Sequence, residues 1–259
     1  MRVVIVTSMD RGLASLVLPE LVKRHSVAGI VKCESTSAPT GGVKRKLKKL
    51  LRIGVLGAVN GIRIRPWFFS EPANRLGIRA LNDVANELGV PIWSVPFVNS
   101  PQTILALRDA NADLAISLGN SYIAHRVFSI PQRGMINVHH EILPAYKGAQ
   151  SIIWQIHAGS RETGYTVHKI DRTIDGGNIL YQERRPILFG RDIHETVVAS
   201  LADVYAASVS GLVNTIDNFD ELERLSTPQA QGQAFTTPTI WQFLRIMRQH
   251  KRLSSAGAA

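Results

Sequence analysis

Residues 2–32 read RVVIVTSMDRGLASLVLPELVKRHSVAGIVK, and their patterning decides the fold. Arg2 to Thr7 is a short apolar run rich in β-branched residues, the mark of a strand buried on both faces. From about Gly12 to Arg24 the apolar residues recur at helical spacing, and Val27 to Lys32 is a second apolar strand. A strand, a helix and a strand at these lengths form the opening β-α-β of a parallel sheet, because parallel neighbours need a crossover connection.

Working outward, the alternation continues. A helix is expected around Ile78 to Leu88, a strand at Ile92 to Val95, a helix near Gln102 to Asp109 and a strand at Leu114 to Leu118. A short helix from about Ala124, a strand at Gly134 to His139 and a helix around Ser151 to Ala158 follow. Strands at Tyr165 to Lys169 and Ile179 to Pro186 and a long helix from about Ile193 to Thr215 complete the series. The order implies an α/β fold, a Rossmann-like doubly wound, mostly parallel sheet.

The chain has 259 residues, 45% hydrophobic and 19% charged, enough for one large core. Its apolar runs fall short of the ~18–20 residues of a bilayer crossing, and Val3 to Val6 is too short for the core of a signal peptide. The expected location is the cytoplasm. A single cysteine, Cys33, excludes an intrachain disulfide and reads as a small buried residue.

Net charge is +10, and its distribution is uneven. Lys44, Arg45, Lys46, Lys48, Lys49 and Arg52 form one acid-free stretch, and Arg245, Arg248, Lys251 and Arg252 close the chain. Val43, Leu47, Leu50 and Leu51 recur at helical spacing among the first cluster, which gives a basic amphipathic helix. Three readings stay open for it: a solvated surface helix, a contact of residues 43–52 with anionic lipid or RNA, and a cradle for a phosphorylated substrate. Glu34 to Gly42 reads as a loop, and Gly54, Gly57 and Gly61 put any helix beyond Arg52 in question.

The first βα turn, Thr7 to Gly12, is neither a G-x-G-x-x-G fingerprint nor a P-loop, so no dinucleotide or nucleoside triphosphate is indicated. The chemistry lies further on, in GMINVHHEILPAYKG from Gly134. Asn137 and His139 are two apart at the carboxyl end of a strand, so both side chains point to one side. Downstream, ETGYTVHKIDRTIDGGNIL puts His168 on a strand and Asp175 in a loop tightened by Gly176 and Gly177. An amide, an imidazole and a carboxylate are thereby offered to one crevice at the strand ends, where open α/β sheets bind ligands.

These two segments together resemble the folate-dependent formyltransferase family. Its pattern of Asn-x-His, a Leu-Pro-x-Tyr-Arg-Gly loop, Thr-Gly-x-Thr-x-His and Asp-x-Gly is matched over Ile136 to Leu180. The resemblance implies Asn137, His139 and Asp175 as the catalytic trio, 10-formyltetrahydrofolate as formyl donor, and no metal. It also implies that the pterin lies against the backbone of Gly119, Asn120, Ser121, Tyr122 and Ile123 and of Asp171 to Asp175, Ile174 included. Tyr146 and Lys147 are expected at the amine substrate, and His168 is expected to support the Asp175 loop. The chemistry asks for such groups: an amide N–H and a protonated imidazole hold a developing oxyanion, at ~3–4 kcal/mol per donor, and a carboxylate takes the amine's proton.

Three positions depart from the pattern. His140-Glu141 stands where the family has Pro-Ser, Lys147 replaces the usual Arg, and Ser151 stands where Pro is common. A metal on His139, His140 and Glu141 is disfavoured because neighbours on a strand point to opposite faces.

The acceptor follows by elimination. The tRNA branch carries a C-terminal β-barrel, whereas 44 residues follow Thr215. The glycinamide ribonucleotide branch has a Gly/Ser-rich phosphate loop where this chain has Ser8 to Gly12, and the formyl-folate hydrolase branch has a domain ahead of the first strand. The sugar N-formyltransferases remain, with a small amine on a nucleotide-linked sugar as partner. Glycinamide ribonucleotide or another small amine is the alternative, and a non-catalytic module docking on RNA or an anionic membrane is a second. Residues 1–205 are then the catalytic domain, with a basic insertion at about 43–72. Residues 206–259 are a helical extension with a disordered Ser/Ala tail. In it Ile240, Trp241, Phe243, Leu244 and Met247 can pack on the domain or on a second copy, as a homodimer.

Overall fold

A computed structural model describes residues 1–35, 42–148, 150 and 152–255, without the side chains of residues 42–46, 48 and 49. Ser151, most of the expected loop at residues 34–42 and the last four residues of the tail lie outside the described residues, as do most of the cationic side chains of the first basic cluster.

The elements in chain order are β1 (Arg2–Thr7), α1 (Leu13–Arg24), β2 (Ser26–Ser35), α2 (Gly42–Ile64), a 3-10 turn (Arg65–Phe68), α3 (Ser70–Arg75) and α4 (Leu81–Glu87). Next come β3 (Ile92–Phe97), α5 (Pro101–Ala110), β4 (Leu114–Leu118), α6 (His125–Phe128), β5 (Met135–His139), β6 (Lys147–Gly148) and α7 (Ile153–Ala158). The chain ends with β7 (Glu162–Lys169), β8 (Ile179–Pro186), α8 (Ile193–Asp217), α9 (Phe219–Leu225), β9 (Ala234–Phe235) and α10 (Ile240–Ser255). The expected α/β fold is borne out: one sheet of seven strands runs β3-β2-β1-β4-β5-β7-β8. Its first five strands are parallel, and β7 and β8 add an antiparallel hairpin at one edge.

Local signals set the helices. Ser100 caps α5 by accepting from Thr103 N at 3.2 Å, with Pro101 at the first helical position. At α8, Asp192 accepts from Glu195 N at 2.8 Å while Glu195 reaches back to Arg191 N at 3.0 Å, a reciprocal cap. α8 is long and apolar enough to cross a membrane, contrary to the sequence expectation that no such run exists, but two thirds of that stretch is buried inside the protein. It runs unbroken through residue 205, the expected domain boundary, and its buried Val204, Leu212, Val213 and Ile216 join one core with β1, β4 and β7.

The glycines of α2 act differently from what their propensity suggests. Gly54, at φ 73°, breaks the helix axis, yet helix resumes to Ile64. Gly57 and Gly61 are there for close approach: a Cβ on Gly57 would sit 3.2 Å from Pro238 O, and one on Gly61 would press on the Thr237 methyl at 2.6 Å. The short pair β6–β9 is parallel and ties the segment before α10 to the loop after β5, with Lys147 N donating to Gln233 O at 3.0 Å.

Candidate active site

From β1 the chain winds to β2 and β3 on one side, then returns with β4 and β5 on the other. Such a reversal opens a crevice at the carboxyl ends of the strands. There Thr7 Oγ1 donates to Leu118 O and Ser8 Oγ to Gly119 O, both at 2.7 Å, locking the ends of β1 and β4 together. Asn120 Nδ2 donates to Val6 O at 2.7 Å and to Ser117 Oγ at 3.0 Å, so its side chain is part of this lock. A cleft of about 380 Å³ opens above, and Gly119 to Ile123 form one wall.

The facing wall is the β7–β8 loop. Asp171 Oδ1 accepts from Thr173 N at 2.7 Å and from its hydroxyl at 2.6 Å, turning the chain. A Cβ on Gly177 would overlap the Lys169 carbonyl, and one on Gly176 the Thr173 hydroxyl, so the turn closes only with glycine at both positions. The sharp turn leaves Asp175 at φ 49°, a left-handed conformation that Asp tolerates better than most residues. Asp171, Thr173, Ile174 and Asp175 all line the cleft.

Asn137 and His139 enter the cleft from β5, as the period of two requires. His139 Nε2 lies 2.9 Å from Tyr146 O; a carbonyl only accepts, so Nε2 carries the hydrogen and Nδ1 is the ring nitrogen free to exchange a proton. Asp175 Oδ1 is 3.9 Å from that Nδ1, and Asp175 Oδ2 accepts from Gly148 N at 3.0 Å. The carboxylate is aimed by the Gly148 N–H, and His168 Nε2 also stands 3.9 Å from its Oδ1.

His168 has another task. Its Nδ1 donates to Lys169 O at 2.8 Å, which leaves Nε2 as the acceptor for Asn137 Nδ2–H at 3.2 Å. Burial, with the neighbouring His139 adding to it, pushes the His168 imidazole down to about 4, so it stays neutral and keeps that lone pair. One Asn137 N–H is committed to His168, and the amide plane is fixed with its second N–H left for the cleft.

The other expected contacts divide. Tyr146 supplies its carbonyl, while its ring stacks on Phe235 at 5.5 Å between centroids; Lys147 contributes backbone to the β6–β9 pair. Neither side chain is among the cleft-lining groups. Several lining residues escaped the sequence reading, namely Met9, Phe68, Phe69, Leu201 and Tyr205. His140 lines the cleft too, its ring 4.4 Å from that of Tyr205 and its Nε2 enclosed without a hydrogen-bond partner among the described residues. Burial pushes its imidazole down to about 3. Among the described residues no group of three or more His, Cys, Asp or Glu side chains is placed to hold a metal ion.

Residues 85–213, which contain both walls, the trio and most of α8, match the family model described as "Formyl transferase". The chain carries a formyl transferase domain. The methionyl-tRNA formyltransferase of Porphyromonas gingivalis is 36% identical over 148 residues, 57% of this chain and 44% of that protein. The chain thus spans about half the length of the curated relatives it matches. Among solved structures, phosphoribosylglycinamide formyltransferase from Anaplasma phagocytophilum superimposes with a TM-score of 0.57 at 15% identity, covering 91% of this chain and 99% of that one. WlaRD, a sugar 3N-formyl transferase solved in the presence of dTDP and 5-N-formyl-THF, gives 0.53 at 16% identity over 90% of this chain and 69% of that one. At these identities the two structures establish the fold alone, and the formyl transferase domain shares it.

Proposed function

We propose that this protein transfers a formyl group from 10-formyltetrahydrofolate to a primary amine on a nucleotide-linked amino sugar. The observation that carries the reading is the meeting of Asn137, His139 and Asp175 at one mouth of a cleft walled by two backbone loops. The lining suits a pterin, which has apolar faces and an amide-like edge. Leu118, Ile123, Val138 and Ile170 are apolar, and the backbones of residues 119–123 and 171–175 run beside them. When bound, the folate supplies the formyl group. Asn137 Nδ2–H and the His139 imidazole face the place where negative charge develops on a carbonyl oxygen, and the burial of the His139 ring limits competition from water there. Asp175, with Oδ1 3.9 Å from His139 Nδ1, takes the proton that the attacking amine must lose, and the folate nitrogen regains a proton as its bond to the formyl carbon breaks.

The sugar acceptor is supported by the C-terminal extension, which reaches the site through the β6–β9 pair, and by the likeness in fold to a sugar 3N-formyl transferase. Methionyl-tRNA is the second reading, favoured by the 36% identity to a methionyl-tRNA formyltransferase. A spectroscopic assay of tetrahydrofolate release tests both. The panel holds nucleotide-linked amino sugars, glycinamide ribonucleotide and methionyl-tRNA, with wild type beside His139→Ala. Turnover with one amino sugar, abolished in the variant, is the expected result. Turnover with another member moves the acceptor, and no turnover with any of them rejects the reading.

A further inference from the structure

Two acid-free helices, α2 and α10, pack against each other and turn apolar side chains outward. On α2, Leu51, Val55, Leu56, Val59 and Ile62 are between 61% and 78% exposed, while Ile53, Gly57, Asn60 and Ile64 face the protein. Val55, Val59 and Ile62 follow the i, i+4, i+7 spacing that aligns side chains along one face. The usual amphipathic pattern is largely inverted here: glycine and asparagine share the inner face with Ile53 and Ile64, and the other aliphatics lie outside. On α10, Trp241 is 77% exposed, with Leu244 and Met247 also exposed.

Both elements are basic. The sequence holds no acid between Glu34 and Glu71, a span that includes the first basic cluster together with Arg63 and Arg65. Arg245, Arg248, Lys251 and Arg252 lie on α10, again without an acid. Scattered exposed apolar residues are ordinary on a soluble protein; an aliphatic stripe among cations is not.

We infer that the α2–α10 face docks on an anionic lipid bilayer. The aliphatic and tryptophan side chains enter the boundary between headgroups and acyl chains, and the exposed Arg52, Arg245, Arg248 and Lys251 meet lipid phosphates. Charge complementarity selects this occupant. A two-fold contact with a second copy sets the basic face against itself. RNA neutralises the cations and leaves the aliphatic stripe in water.

The face is continuous with the cleft. α2 leads directly into the Arg65–Phe68 turn, Phe68 and Phe69 line the cleft, and the half-exposed Phe69 carries the Arg65 guanidinium 5.7 Å from its ring centre. Docking therefore sets the mouth of the cleft beside the lipid surface. The inference goes beyond formyl transfer and is tested without it.

The test is co-sedimentation of the full chain with extruded vesicles of phosphatidylcholine alone or with about 30 mol % phosphatidylglycerol, across a salt series. The expected result is binding to the anionic vesicles only, weakening as salt rises. Val55→Glu/Val59→Glu should reduce that binding by about tenfold or more, because it removes two inserting groups and adds two charges. The thermal midpoint should hold, since both side chains are exposed. Absence of binding to anionic vesicles at low salt overturns the inference, and so does binding that survives the double substitution. A wild-type dimer that the same variant makes monomeric in light scattering also overturns it, by assigning the face to a second copy.

Discussion

At the scale of single residues, the proposed transfer separates groups that meet the reactants from groups that aim them. Asp175→Asn keeps the side-chain oxygen that accepts from Gly148 N–H and removes only the charge beside His139. In formyl transfer kcat should fall about 10²–10⁴-fold, the usual contribution of a positioned proton acceptor, with the thermal midpoint unchanged. An unaltered kcat in steady-state assays would remove Asp175 from proton transfer. His168 is a positioning residue: it fixes the Asn137 amide through a neutral Nε2. His168→Ala should lower kcat more than it changes KM, by roughly 10–100-fold, less than the ~10²–10³ of losing an oxyanion donor outright. His168→Gln, whose side-chain oxygen also accepts, should recover much of the loss. Equal defects in the two variants would reduce His168 to a packing role.

At the scale of elements, the clearest test of packing is Gly211 in α8. A Cβ there would overlap the Tyr165 ring and hydroxyl, and that hydroxyl donates to Glu183 at 2.7 Å across the β7–β8 hairpin. Gly211→Ala gains helix propensity but forces the buried tyrosine aside, so urea unfolding should report a loss of about 1–3 kcal/mol. A neutral or stabilised variant would mean that the hairpin yields freely. The same contrast between local pattern and packing explains what the sequence disclosed. The strands and helices of the sheet were legible because periods of 2 and 3.6 repeat along each element, and Asn137 and His139 shared a side for that reason. The β6–β9 pair was not, since two residues carry no period and a bond from Lys147 N to Gln233 O makes it. Helix beyond Arg52 stays in question on sequence alone because glycine propensity argues against it, whereas Gly57 and Gly61 serve the close approach of residues 237–239. Phe68, Phe69 and Tyr205 were missed as cleft residues because a turn and a helix distant in sequence meet β5 only in the folded chain, and His140 because strict alternation would turn it away from His139, whereas β5 ends at His139.

At the scale of the molecule, the cleft makes stability depend on pH. His168 and His140 are held neutral inside, down to about 4 and about 3, by burial and by the like charge of His139. In the unfolded chain both histidines titrate near 6.5. Between that value and the folded one the unfolded state binds more protons, so stability is whole above about pH 6.5 and is lost as pH falls toward 4. The limiting slope is about 1.4 kcal/mol per pH unit for each neutral histidine. His140 contributes less than that limit, because part of its ring meets the cleft. Urea unfolding of the wild type at pH 7.5, 6.5, 5.5 and 4.5 should thus show a plateau followed by a decline. His168→Gln retains an acceptor for Asn137 and has no proton to gain, so its decline should be shallower by up to ~1.4 kcal/mol per pH unit while its stability above pH 7 changes little. Parallel curves for wild type and variant would mean that His168 is charged in the folded protein, and then Asn137 could not be donating to it.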